Sequence, residues 1–93
     1  MNTKEGIMEE YFIAVFKSRT QTLKFYDKLK QKRADAFIIN TPNQANLGCG
    51  LSVKFFQESL NCVKKLLILE NYYSFAGLFY VLGKGHSLKL KPV

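Results

Sequence analysis

From Tyr11 to Phe16 the chain is apolar at nearly every position. A short, β-branched and aromatic run of this kind predicts a central strand covered on both faces. Ser18 or Thr20 can cap a helix begun after it. From Thr20 to Arg33, Leu23, Tyr26 and Leu29 recur at helical spacing, while Lys24 and Lys28 share another face. Ala34-Asp35 breaks the period, and Ala36 to Asn40 predicts a second strand. Pro42 cannot donate to a ladder and biases Thr41 toward an extended conformation. Leu51, Val53 and Phe55 then alternate with Ser52, Lys54 and Phe56, as in a half-buried strand whose core set is the first three. No helical pattern separates these two strands, so they predict a hairpin with a long connection. From Gln57 to Asn71, Leu60, Val63 and Leu67 form a helix face, with Cys62 and Leu66 beside it and Lys64 and Lys65 outside. Phe75 to Leu82 is a fourth strand, and Gly83-Lys84-Gly85 is a turn signal. Leu88 and Leu90 alternate with Lys89 and Lys91, so the tail can add a short fifth strand.

Strand, helix, strand, strand, helix, strand is the split βαβ order of α+β, ferredoxin-like folds. Two helices would cover one face of an antiparallel sheet, burying Ile13, Val15, Leu51, Val53 and Phe55. The opposite face would show Phe12, Phe16 and Phe56, with either Phe79 or Tyr80. Aromatic surface of that extent fits a second copy of the chain, and a homodimer is the expectation. Residues 1–10 read as a leader, 11–82 as one domain and 83–93 as a basic tail. Ninety-three residues with 47% hydrophobic content suit a single packed domain. No apolar run approaches the roughly 20 residues of a membrane span, and Met1 to Glu10 lacks the apolar core of a secretory signal. The expected location is the cytoplasm.

The formal charge of +7 is unevenly placed. Lys17, Arg19, Lys24, Lys28, Lys30, Lys32 and Arg33 face one acid in their stretch, Asp27. Such a surface attracts nucleic acid, anionic metabolites or an acidic protein, although a solvated helix face accounts for it more simply. Ferredoxin-like sheets can stack bases on strand aromatics, a role open to Phe12, Phe16 and Phe56. The matching RNA-binding signature is absent from Gly50 to Phe56, and the basic residues cluster on the first helix. Nucleic acid is therefore not the expected partner.

Cys49 and Cys62 lie thirteen positions apart, which is neither a redox CxxC pair nor half of a zinc site, and the single His86 cannot complete one. No metal or cofactor is expected. One histidine also leaves no nucleophile–base–acid set, and Asp27 and Glu70 fall on separate helices. Gly48-Cys49-Gly50-Leu51-Ser52 lacks the lysine and the following helix of a phosphate-binding loop. Cys62, beside Val63 and Leu66, reads as core filler, and His86 as solvent-exposed in a glycine-rich turn. Cys49 differs from both. It stands between Gly48 and Gly50 after Thr41-Pro42, with no flanking side chain to shield it. That placement suits a thiol approached by another molecule, or equally a sulfur that fills a gap under the loop.

The chain also resembles a bacterial family described as selenium/sulfur carrier-like, a family of unknown function. Phe16-Lys17-Ser18 and Leu23 match its first strand and helix, and Thr41-Pro42, Cys49-Gly50 and Leu51 match its second strand end, thiol and third strand. The resemblance covers about residues 11 to 82. Two positions depart from it. Asn43 stands where the family often has arginine, and Asn46, Leu47 and Gly48 stand where it tends to have serines. The resemblance implies a carrier in which Cys49 holds sulfur or selenium between donor and acceptor proteins, framed by Thr41, Pro42, Gly48 and Gly50. A carrier or binding protein is expected rather than a turnover enzyme. The thiolate is the working species, and Lys17, Arg19 or Lys54 could stabilise it if the fold brings them near. The competing readings are a non-catalytic dimerising or regulatory domain and, behind it, a single-stranded nucleic-acid module.

Overall fold

The structure, a computed structural model, describes residues 8–84 and 87–93. The expectations for the first seven residues of the leader, and for Gly85 and His86 in the turn, lie outside the described residues. The elements are β1 (Glu9–Phe16), α1 (Arg19–Gln31), β2 (Ala36–Asn40), β3 (Leu51–Phe55), α2 (Leu60–Leu69), β4 (Phe75–Lys84) and β5 (Ser87–Pro92). Short 3-10 turns occupy Asn43–Ala45 and Gln57–Ser59. The strands form one antiparallel sheet in the order β2-β3-β1-β4-β5. This is a ferredoxin-like α+β arrangement, extended past β4 by a strand that the four-stranded form lacks. β1 starts at Glu9 and β4 runs on to Lys84, because each continues to pair beyond its apolar run: Glu9 opposes Gly83, and Lys84 opposes Ser87.

Cross-strand neighbours share a face, and the register decides which side of β1 meets the helices. Phe12 stands opposite Phe55 and Ala14 opposite Val53. Phe12, Ala14 and Phe16 therefore pack with Val53 and Phe55 under α1 and α2. Ile13 and Val15 face the other way, which corrects the expected assignment. Both parities of β1 are apolar, so alternation along this strand carries no signal about its faces. Phe12 stacks on Phe55 at 5.5 Å, and Phe16 meets Phe25 at 5.1 Å and Tyr72 at 5.4 Å.

Helix α1 is also rotated from the expected setting. Its buried residues are Thr22, Phe25 and Leu29, and Leu23 is 39% exposed. The spacing Thr22, Phe25, Leu29 is as helical as the Leu23 series, and the larger Phe25 wins the core position because it fills the space between Phe16 and Tyr72. In α2, Val63 and Leu66 are buried, with Leu60, Cys62 and Leu67 packed against the core. Lys28 on α1 pairs with Glu70 after α2, Nζ to Oε2, at 3.1 Å.

The sheet face away from the helices is not open. Tyr11, Ile13, Val15, Ala45 and Val81 are buried there, packed with Phe56, Phe79, Leu88 and Leu90. The connection between β2 and β3 folds across this face, and the Gln44 side chain donates to the Leu88 carbonyl at 3.3 Å. Phe56 and Phe79 lie on the expected side, but Phe12 and Phe16 do not, and Phe16 is wholly buried. The expected set of Phe12, Phe16 and Phe56 is therefore not assembled on this face, which carries Tyr11, Phe37, Phe56 and Phe79 instead. No helix among the described residues is long and apolar enough to cross a membrane.

Candidate functional site

Ser18 ends the bend after β1 and caps α1, its hydroxyl accepting from the Gln21 amide at 3.1 Å. An extended Ser at this position satisfies one of the four free amides of a helix start. Gln21 in turn accepts from both the amide and the hydroxyl of Ser74, at 3.0 and 2.5 Å. The Lys17 amide donates to the Ser74 carbonyl at 2.8 Å, so the entrance to β4 is tied to the entrance to α1. This junction is the platform on which the cysteine loop rests.

The loop comes down onto the platform at Cys49. Its amide donates to the Phe16 carbonyl at 3.1 Å. That approach is close enough to exclude any side chain before it: a Cβ on Gly48 would stand 2.5 Å from the Phe16 oxygen and 2.7 Å from Val15 Cγ1. Gly50 has φ +95°, a setting that L side chains rarely adopt, and open space around its Cα. One glycine thus permits contact and the other permits the turn into β3. At the turn's base the Thr41 amide donates to the Gly50 carbonyl at 2.9 Å, and the hydroxyls of Thr41 and buried Ser52 meet at 2.6 Å. Pro42, at φ −57°, leads the chain out of the β2 ladder.

Cys49 is half-buried, with its sulfur against the first turn of α1. Its polar neighbours are the Thr22 hydroxyl at 3.5 Å and the Leu51 carbonyl at 3.7 Å. Thr22 is fully buried, and its hydroxyl also lies 2.9 Å from the Ser18 carbonyl. That carbonyl separately accepts the Thr22 amide at 3.0 Å. Thr22 can therefore swing its single proton from Ser18 to the sulfur without leaving the carbonyl unpaired. A neutral thiol can donate to Leu51, while an anionic sulfur would receive the Thr22 proton beside the positive end of the helix dipole.

The three basic candidates separate. Lys17 and Arg19 flank the Ser18 cap, exposed, at the same end of the sheet as Cys49, and among the described residues neither forms an ion pair. Lys54 does not join them. Its Nζ lies over the rings of Tyr11, Phe56 and Phe37, at 4.4, 5.6 and 5.9 Å from their centroids, on the face away from the helices. Alternation along β3 turns Lys54 away from the helix-facing side, and three π faces then hold the ammonium.

Cys62 lines a cavity with Lys32 and Ser59, whereas Cys49 touches Thr22 at the opposite end of α1. Ten helical residues span roughly 15 Å, far beyond the reach of a disulfide. Thr22 is the site residue that pattern reading passed over. Its signal was present: Thr22, Phe25 and Leu29 fall at helical spacing, a stripe that puts the Thr22 hydroxyl on the buried face. Among the described residues no cluster of three or more His, Cys, Asp and Glu could hold a metal ion.

Residues 10–80 match the model of a family described as "Putative Se/S carrier protein-like". The chain belongs to that family. The matched segment takes in β1 through most of β4, and so contains Cys49, both glycines beside it, Thr22 and the Thr41-Pro42 frame. β5 and the tail lie outside it. No curated protein and no solved structure matches the chain.

Proposed function

We propose that the protein carries sulfur or selenium as the zero-valent outer atom of a persulfide (S–S) or selenosulfide (S–Se) group on Cys49, between a donor and an acceptor protein. The observation that carries this reading is the setting of Cys49: the residue is half-buried and clamped through its amide to Phe16, with its sulfur 3.5 Å from a buried hydroxyl at a helix N-terminus. A structural cysteine would need neither the two backbone accommodations that bring it there nor a movable proton donor.

Loading is a sulfur exchange. The Cys49 thiolate attacks the outer sulfur of a donor persulfide; the new S–S bond forms as the donor's S–S bond breaks, and the donor leaves as a thiolate. Unloading reverses the roles: an acceptor nucleophile takes the outer atom, and Cys49 departs as the thiolate. No external oxidant or reductant enters either step. Thr22 donates to the anion at the start and at the end of the cycle. Cys62 stands too far away to intercept the persulfide as a disulfide, so the cargo waits for a second molecule. A free thiol of this kind works in a reducing compartment, the cytoplasm.

The test is alkylation of the native protein followed by peptide mapping. Modification of Cys49 in the folded state, ahead of Cys62, supports the reading. Protection of Cys49 until the protein is unfolded refutes it.

A further inference from the structure

The connection between α2 and β4 runs back along α1 and holds it at both ends and in the middle. Glu70 pairs with Lys28, Tyr72 meets Phe25 in a T-shape at 5.3 Å, and Ser74 binds the Gln21 side chain. Gln21, Phe25 and Lys28 are spaced four and three apart, so they share one side of the helix. Glu70, Tyr72 and Ser74 are alternate residues of the connection. The two sets meet in opposite order, as a strap laid antiparallel along a rod.

The pins differ in kind. The Lys28–Glu70 pair is over a third exposed on both sides, and a surface ion pair contributes little. Tyr72 and Phe25 fill core volume and set how close the strap lies. The Gln21 pin is directional: its Oε1 accepts from the Ser74 amide at 3.0 Å and from the Ser74 hydroxyl at 2.5 Å. A backbone amide can only donate, so the atom facing it is the glutamine oxygen. In a capping box, a glutamine three residues after a capping serine turns back onto the serine's own amide. Gln21 follows Ser18 at that spacing, yet its oxygen is turned to the strap. The first turn of α1 carries no acidic side chain. A neutral acceptor therefore binds the strap there, and the positive end of the helix stays open to the sulfur.

Thr22 is the next residue, and its hydroxyl meets the Cys49 sulfur at 3.5 Å. The Ser18 cap fixes where the helix begins, through the Gln21 amide, but one hydrogen bond leaves the turn free to pivot. A displacement of about 0.5–1 Å at Thr22 would loosen its contact with the sulfur. We infer that Gln21 is a positioning residue of the thiol site: held by Ser74, it fixes the first turn of α1 in the rotation that brings the Thr22 hydroxyl to Cys49. That the sulfur so placed attacks a donor persulfide rests on the carrier reading; the positioning does not.

The test alkylates the full chain with iodoacetamide at neutral pH and reads the rate at Cys49 by peptide mapping. Gln21→Met keeps the length of the side chain and loses the acceptor, and Ser74→Ala loses one donor. Each should slow Cys49 roughly three-fold or more, and Ser74→Thr should restore the rate. In a Thr22→Val background, adding Gln21→Met should change the rate by less than about two-fold, because the hydroxyl it acts through is gone. Lys28→Met breaks the far pin of the same strap and should leave the rate within about two-fold of native. An unchanged rate in Gln21→Met, effects of Gln21→Met and Thr22→Val that multiply, or equal slowing by Lys28→Met overturns the inference and assigns Gln21 to packing. A chain that responds as expected but takes up no sulfur refutes the carrier reading and keeps the positioning role. Cys49 inert until unfolding refutes both.

Discussion

The hydroxyl of Thr22 lies 3.5 Å from the sulfur of Cys49, and it is the one side-chain hydrogen-bond partner that sulfur has among the described residues. Thr22→Val keeps the shape of the side chain and removes the proton that would meet an anionic sulfur. Alkylation of Cys49 at neutral pH should slow roughly ten-fold or more, the worth of one hydrogen bond to a charged group, about 1.5–3 kcal/mol. Thr22→Ser should restore the rate. Thermal unfolding of each variant shows whether the effect is local: equal loss of rate in Val and Ser variants would assign Thr22 to packing alone.

The two glycines beside the thiol answer different demands, and their alanine variants should part. Gly48→Ala drives a methyl into the Phe16 carbonyl, a backbone atom that cannot turn aside. It should destabilise by about 2–3 kcal/mol or more and displace the loop. Gly50→Ala meets no neighbour but must hold φ +95°, at about 1–2 kcal/mol. Urea unfolding of both proteins gives the order, and the reverse order would contradict the geometry described for the loop.

Sequence and structure agree where one periodicity stands alone, and part where two are superposed. β2 and β3 were legible because alternation and Pro42 bound them, and the apolar density of β1 announced a strand covered on both sides. Its faces were not legible, since Ile13 and Phe12 are equally apolar and only the register with Phe55 separates them. In α1, Leu23 and Phe25 offered rival stripes, and the volume between Phe16 and Tyr72 chose Phe25. The thiol loop was visible from its glycines, but Lys54 was misplaced because its reach depends on the strand's facing. The buried stripe that holds Thr22 was there to be read, but its contact with Cys49 emerged only when helix and loop were brought together.

That correction has a measurable consequence. Ile13 is fully buried on the sheet face away from the helices, whereas Leu23 is 39% exposed. Ile13→Ala should cost about 3 kcal/mol, and Leu23→Ala no more than about 1 kcal/mol. Denaturant midpoints decide it; similar losses would mean that Leu23 carries the core face after all.

Tyr72 packs against Phe16 and Phe25 with a buried hydroxyl that has no hydrogen-bond partner among the described residues. Burial, and then the nearby Glu70 charge, push its phenol above the usual 10.0. Tyr11 is raised in the same direction, by burial first and then by Glu9. A raised folded-state value means that the contribution is fully present below about pH 10, the unfolded value, and is lost as pH rises through the folded one. Stability should therefore be flat from neutral pH to about 10 as far as these phenols set it, and fall beyond. Tyr72→Phe should be more stable by about 1 kcal/mol at neutral pH and lose less on the alkaline side. A less stable Tyr72→Phe protein would show that the hydroxyl has a partner.

The central claim is that Cys49 accepts a transferable sulfur atom. The direct measurement is intact mass after incubation with a cysteine desulfurase and cysteine, with Cys49→Ser and Cys62→Ser variants alongside. The account predicts one added sulfur atom in the native chain and in Cys62→Ser, released by a thiol reductant, and none in Cys49→Ser. No added mass in the native chain, or the same mass gained by Cys49→Ser, would contradict it.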